Sequence, residues 1–411
     1  MSNSISQVLI IGKVWPEPDS SAAGSRMMQL IHVFLEQQWK VTFASAATKS
    51  GYEIDLKELG IEEKSIRLNH SSFDDLVKEL QPDIVIYDRF TSEEQFGWRV
   101  RAHCSDALQI LDTEDLHSLR QARYLAWKTG APTEIQELDI AKREIASIYR
   151  CDLSLIISPY EMELLKTTFN VDESLLVYLP FMLNKIQEKM VNDWQPYHKR
   201  DHFVSIGNFL HEPNWSAVLY LKEKVWPLIK ARLPKTELHI YGAYSSQKVE
   251  QLHNEDEGFH IKGRAKNAGK VVGASKVLLS PLQFGAGLKG KFIEAMQVGT
   301  PSVTTQIGAE GMHTDFPWPG AIEEHPKDFA DAAIELYGNE EKWKAAQLAG
   351  IPIINRLYNK EKLSTSLIQR IVELRSNLSC KRKQNFIGQM LQYHTAASTK
   401  YMGKWIEEKN K

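Results

Sequence analysis

Residues 277–312 read VLLSPLQFGAGLKGKFIEAMQVGTPSVTTQIGAEGM. The run Val277, Leu278, Leu279 is an apolar strand signal, and Pro281 stops it. Gly285, Gly287 and Gly290 follow closely, so the backbone there can take positive φ and approach a ligand that side chains would block. A helix carrying Lys291, Glu294, Ala295 and Met296 begins at this turn and stops at Gly299, with Pro301 just beyond. Strand, glycine turn and helix N-terminus together make an anion cradle, because unpaired amides and the positive end of the helix dipole face one place.

Working outward, VLII (8–11) reads as a first strand, followed by the Pro-, Ser- and Gly-rich loop KVWPEPDSSAAGSRM and the helical spacing of MMQLIHVFLEQQ. KVTFAS (40–45), PDIVIYD (82–88), LQILD (108–112), DLSLIIS (152–158) and LLVYLP (175–180) read as further strands separated by helix-length segments. This alternation predicts a parallel sheet with helices on both faces. Residues 182–201 are polar with no clear strand, which places a linker there. The pattern restarts with HFVSIG, ELHIYG and FHIKG and leads into the opening segment. The expected organisation is one doubly wound domain over 1–181, a linker over 182–201 and a second over 202–385. Ligands of such sheets sit beyond the carboxyl ends of the strands. The tail from about 386 to 411 spaces Phe386, Met390, Tyr393, Met402, Trp405 and Ile406 at helical intervals. Two readings stand for it: a helix docked on the protein's own core, or one touching a membrane surface or partner.

With 411 residues, two or three domains are expected. The 50 basic and 52 acidic residues leave a net charge of -2, which gives no global electrostatic case for nucleic acid. The three cysteines are far apart and form no CxxC pair, as in a reducing compartment, and the chain is expected to be cytoplasmic. The N-terminus lacks the pattern of a signal peptide, and no run of about 18 apolar residues predicts a transmembrane segment.

GAGLKGKF matches the start of a P-loop, but Phe292 stands where a Ser or Thr hydroxyl would hold Mg2+. The segment instead resembles the donor-binding region of retaining glycosyltransferase family 4: a strand ending in Pro, glycines, Glu-Ala-Met, Gly-x-Pro and a short strand. FVSIGNFLHEPNWSAVLYL (203–221) resembles that family's second-domain opening, and PEPDSSAAGSRMMQLIHVFLEQQWKVTFAS (16–45) its first glycine loop and helix. The resemblance implies the GT-B fold, two Rossmann-like domains facing across a cleft, with the tail helix crossing back to the first. It implies a metal-independent transferase that uses a nucleotide sugar as donor substrate, no separate cofactor, and a glycan or lipid-linked acceptor. A nucleotide-sugar epimerase and a non-catalytic binding protein on the same fold are the alternatives.

The resemblance places the donor against Gly285, Ala286, Gly287 and Leu288, with Lys289 and Lys291 neutralising the diphosphate. Glu294 would accept bonds from ribose hydroxyls, or merely complement its helix dipole. The family's commoner pattern has a further glutamate at the position Ala286 occupies. Asn208 follows Gly207 where many members have arginine, so Asn208, His211 and Arg264 are the candidate substitutes. Gly24, Ser25 and Arg26 open a helix after a strand, another phosphate-friendly geometry. In LDTEDLHSLR (111–120), Asp115 or His117 is expected near the transferred sugar, with a helix cap as the other reading of Asp115. The sequence shows no Asp-x-Asp pattern and no His/Cys cluster, in keeping with the absence of a metal site.

Overall fold

A computed structural model describes residues 5–410. Seven parallel strands form the first sheet: β1 (Gln7–Gly12), β2 (Lys40–Ser45), β3 (Glu62–Ser65), β4 (Ile84–Asp88), β5 (Leu108–Asp112), β6 (Leu153–Ile156) and β7 (Leu176–Tyr178). Their order is β3-β2-β1-β4-β5-β6-β7. Six more form the second sheet: β8 (Asp201–Ile206), β9 (Leu238–Tyr241), β10 (Phe259–Gly263), β11 (Ser275–Ser280), β12 (Ser302–Thr304) and β13 (Gly320–Ile322). They run β10-β9-β8-β11-β12-β13, again all parallel. The order reverses beside β1 in one sheet and beside β8 in the other, and a crevice opens at each such point.

The apolar runs become strands because both faces of each sheet are covered. Val8 and Ile10 point into one cluster while Leu9 and Ile11 point into another. In the second sheet Leu278 packs with Phe292 and Met296, whereas Val277 and Leu279 pack with Trp226 and Trp343. Two short strands lie outside the sequence expectation. β3 reads Glu-Glu-Lys-Ser because it is an edge strand with half-exposed side chains, and charge on an edge prevents pairing with other chains. β13 is the opposite edge of the second sheet and has only partly buried residues.

The polar stretch 182–201 holds a short helix, Glu188–Asp193, and buries Met182, Leu183 and Ile186. The chain passes between the sheets twice here: the Leu183 amide donates to the Tyr358 carbonyl at 2.7 Å, and the Lys360 amide to the Leu183 carbonyl at 2.8 Å. Helix Lys360–Ser376 then sends Leu367, Ile371 and Leu374 into the first domain's core. Helix Phe386–Lys409 packs on helices Phe90–His103 and Asp139–Arg150. It is thus docked on its own chain, while Phe386, Met390, Tyr401 and Trp405 remain exposed. Among the described residues no helix is long and apolar enough to cross a membrane.

The sheet register also corrects the expectation that no histidine cluster exists. His260 of β10 lies directly opposite His239 of β9. Residues far apart in sequence become neighbours on one sheet face.

Candidate active site

The carboxyl ends of the two sheets enclose a cleft of about 710 Å³. β11 ends at Ser280, and the following loop brings Gly285 and Gly287, at φ of 154° and 63°, against the first domain. At Gly287 any side chain would also collide, since a Cβ would lie 2.9 Å from the Asp115 Cβ. Gly290 opens helix Gly290–Gln297, and a Cβ there would lie 2.6 Å from the Ala22 Cβ at the start of helix Ala22–Glu36. Two helix N-termini therefore converge on the cleft. Phe292 is fully buried, edge-on to Trp318 at 5.2 Å, and takes no part in the cradle.

Of the residues expected to bind the donor, Gly207, Asn208, His211, Arg264, Gly285, Ala286, Gly287, Leu288, Lys289, Lys291 and Glu294 all line this cleft. Lys291 donates to the Asn214 side-chain oxygen at 2.8 Å and to the Ser280 hydroxyl at 3.3 Å. Burial brings its ammonium down to about 7, against the pull of Glu294. Burial brings Lys289 down to about 8, with Glu310 opposing, while its ammonium donates to the Gly287 carbonyl at 2.8 Å. The Glu294 carboxyl is pushed up to about 7 by burial, which Lys291 partly offsets. These are buried charges with few partners, the arrangement expected where a ligand completes the electrostatics.

From the first domain, Asp115 and His117 face the same space, together with Arg89 and Arg120. Burial disfavours the Asp115 carboxylate, but Arg120, His117 and His211 outweigh it and hold it at about 2. The His117 Nε2 lies 3.5 Å from Asp115, buried and without a hydrogen-bond partner. Burial lowers His117 and His211 to about 4 each, so both imidazoles are neutral at pH 7. Asp115 does not cap helix His117–Thr129; Glu144 does that from a neighbouring helix, accepting from the amides of His117 and Ser118 at 2.9 and 3.1 Å. Arg89 sits at φ of 69°, a backbone strain placed at the mouth of the cleft.

Gly24 and Ser25 line the cleft as well, with their polar groups turned inward on their own loop. The Gly24 amide is capped by the Ser21 hydroxyl at 3.0 Å, and the Ser25 hydroxyl donates to the Pro18 carbonyl at 2.8 Å. Arg26 requires correction, because it does not line the cleft. Its guanidinium is fully buried, donates to the Leu179 carbonyl at 2.6 Å and pairs with Asp112 at 2.7 Å. One turn into the helix, its side chain faces the sheet rather than the helix N-terminus.

Contacts across the cleft hold the two domains together. Tyr244 donates to Glu17 at 2.8 Å, Arg264 to the Ser20 hydroxyl at 3.1 Å, and Arg123 forks onto Glu310 at 2.7 and 2.8 Å. Glu161, unnoticed in the sequence, accepts from the Leu116 amide at 3.1 Å and the Gly287 amide at 2.8 Å. Burial and the nearby Asp115 push its carboxyl up to about 8. Arg89 had a local signal, since it directly follows the strand PDIVIYD, while Arg120 and Asn214 lie within the stretches 111–120 and 203–221; Glu161 had none.

The whole architecture is shared with solved structures. Sucrose-phosphate synthase from Thermosynechococcus elongatus matches over 90% of this chain and 99% of its own, with a TM-score of 0.66 and 15% identity. Anabaena HepE, in complex with UDP and glucose, matches over 89% and 99%, with a TM-score of 0.65 and 10% identity. The fold is GT-B. A third GT-B structure, S. aureus TarM with UDP, fondaparinux and alpha-GlcNAc-glycerol, has a TM-score of 0.57 and 18% identity over 72% of this chain, which spans 58% of the length of that chain. Residues 200–339, the second GT-B domain up to helix Glu340–Leu357, match the family model described as glycosyl transferases group 1. No curated protein sequence matches the chain.

Proposed function

We propose that the protein is a retaining, metal-independent glycosyltransferase of the family 4 kind, passing a sugar from a nucleotide-sugar donor to a glycan or lipid-linked acceptor. The observation that carries this reading is the meeting in one cleft of the Gly285–Gly290 cradle, Lys289, Lys291 and Glu294 with Asp115, His117, Arg89 and Arg120. In the second domain, the cradle amides and the two lysines receive the diphosphate, and Glu294 accepts from the ribose hydroxyls. Four side-chain cations line the place where the leaving diphosphate gains charge, which lowers the barrier to an oxocarbenium-like state. Asp115, ionised, and His117, neutral with its Nε2 unpaired, face the transferred sugar from the first domain. The three free cysteines accord with a cytoplasmic enzyme.

A lipid-linked acceptor gains support from the C-terminal helix. Phe386 and Trp405 are 71% and 60% exposed, and Met390 and Tyr401 share their face. Lys381, Lys383, Lys400, Lys404 and Lys409 lie along and beside it. Apolar and aromatic residues with lysines suit an anionic bilayer surface, where such an acceptor is presented.

The test is a thermal-shift and turnover screen against UDP-, GDP-, ADP- and dTDP-sugars, starting with UDP because two GT-B neighbours hold it. Donor at about 100 times its Kd stabilises by about 2.7 kcal/mol. A protein that responds to none of the four, or whose Glu294→Ala variant transfers as fast as the parent, is not this enzyme. Epimerised free nucleotide sugar formed without acceptor would assign the cleft to an epimerase, and binding without turnover on any acceptor would assign it to a binding protein.

A further inference from the structure

We propose that Glu237, His239 and His260 form a transition-metal site, best suited to Zn2+, on the second domain's sheet and separate from the cleft. The metal would staple edge strand β10 to β9.

The register builds the site. His239 and His260 are directly paired across parallel strands, and Glu237 stands two residues before His239, so all three project from the same face. Their ligand atoms lie within 4.8 Å of one another. The Glu237 Oε2 is 2.8 Å from the His239 Nε2 and 3.6 Å from the His260 Nε2. Tetrahedral Zn2+ with bonds of about 2.1 Å needs ligand atoms about 3.4 Å apart, so an ion replaces the hydrogen bond between Glu237 and His239 and draws the remaining ligand atoms in by about 1.4 Å at most. The His260 Nε2 is buried and has no hydrogen-bond partner. A buried ring nitrogen without a partner is unfavourable unless something fills its place.

The surroundings supply neutral ligands. Burial lowers both His239 and His260 below the ordinary histidine range, and nearby Lys262 adds to this. Neutral imidazole is the form that binds metal. His253 packs against His260 at 5.6 Å between ring centroids, and its Nδ1 accepts from the Ile261 amide, so its Nε2 carries the ring proton; it is a wall of the site, and water takes the fourth position. His202 stacks on His239 at 3.9 Å, but its Nε2 is engaged with the Ser275 hydroxyl, so it is a wall of the site and not a ligand.

The site lies about 10 Å along β9 from the cleft residue Gly242, at ~3.3 Å per residue. It is therefore structural and takes no part in sugar transfer. This also distinguishes it from the proposed function: the site stands or falls whether or not the protein transfers sugar.

The experiment is titration of the full-length, chelator-stripped protein with Zn2+ by calorimetry, and with Co2+ by visible absorption. The expected result is one equivalent bound, a tetrahedral Co2+ spectrum and a melting temperature raised by metal. His239→Asn with His260→Asn should weaken binding by more than the roughly 10- to 100-fold cost of losing an outer-shell partner, with a parent-like circular dichroism spectrum and a cooperative unfolding transition showing that it folds. If that pair fails to fold, Glu237→Gln serves in its place. Uptake by the parent no tighter than by the variants, or a Co2+ spectrum unaltered by them, overturns the proposal.

Discussion

Lys291→Met is the most discriminating single change, because binding and stability should move in opposite directions. Lys291 is buried in the cleft and comes down from 10.5 to about 7. At ~1.36 kcal/mol per unit, holding it charged at or below pH 7 costs roughly 4–5 kcal/mol. Methionine fills similar volume without that cost, but forfeits the bonds to Asn214 and Ser280, together worth about 1–3 kcal/mol. A net stabilisation of about 1–4 kcal/mol remains, or some 2–16 °C in the melting temperature of a domain this size. The sign against pH follows from linkage. Between pH 7 and 10.5 the unfolded lysine holds its proton while the folded one has lost it, so the parent gains stability as pH rises across that window. The variant's advantage should therefore be largest at and below pH 7, vanish between about pH 8 and 10 where the falling cost meets the roughly 1–3 kcal/mol of lost bonds, and reverse above that. Nucleoside diphosphate binding should weaken about 10- to 150-fold, the loss of one charge-assisted bond of 1.5–3 kcal/mol. Binding to the parent at pH 8 should take up a proton, as the diphosphate restores the ammonium. Calorimetry in two buffers of different ionisation enthalpy, with denaturation series at several pH values, reads all of this. A variant that is less stable than its parent and binds UDP as well would refute the assignment of Lys291 to the diphosphate.

Glu294→Gln should lower kcat/KM roughly 10- to 100-fold through lost ribose contacts, while its stability gain over the parent should grow from about pH 4.5, where the unfolded carboxyl ionises, to about pH 7, where the folded one does, and stay level above that. Steady-state kinetics and melts at about pH 4.5, 6 and 8 check both halves. Arg26→Met strands the Asp112 carboxylate and should cost about 3–5 kcal/mol in denaturant unfolding, yet leave KM for the donor unchanged in the folded fraction, since Arg26 is outside the cleft. Phe386→Ser with Trp405→Ser should abolish sedimentation with anionic vesicles and retain turnover on a soluble acceptor. Ala286→Glu, which restores the family's commoner glutamate, should lower the melting temperature and gain no activity.

The fold was legible wherever burial is two-sided. β1, β4 and β11 lie inside their sheets, and their apolar runs announce them without alternation. β3 was illegible for the converse reason, because an edge strand is charged to avoid pairing and then looks like a loop. The cradle was legible because its chemistry is local: glycines, lysines and Glu294 lie within one strand-turn-helix unit, and all of them line the cleft. Arg26 shows where a local rule misleads. A glycine loop opening a helix suggests an anion site, but only one face of the helix borders the cleft, which Met27 and Gln29 reach while Arg26 turns to the sheet. Glu161 and the histidine pair were illegible because domain docking places the one and strand register the other.

Ala286 gathers these strands of argument. A missing carboxylate suggests a weakened site when the second domain is considered alone. The assembled cleft gives a different reason for alanine there. Ala286 packs among first-domain apolar residues, and the next residue, Gly287, touches Asp115 and gives its amide to Glu161. Two acidic groups already share that corner; Arg120 holds one ionised, and burial keeps the other protonated up to about pH 8. A glutamate at 286 would add a third carboxylate and a longer side chain to that buried corner, and would force the domains apart. The first domain thus brings its own carboxylates to the corner, and the small residue at 286 is what lets it approach closely enough to do so.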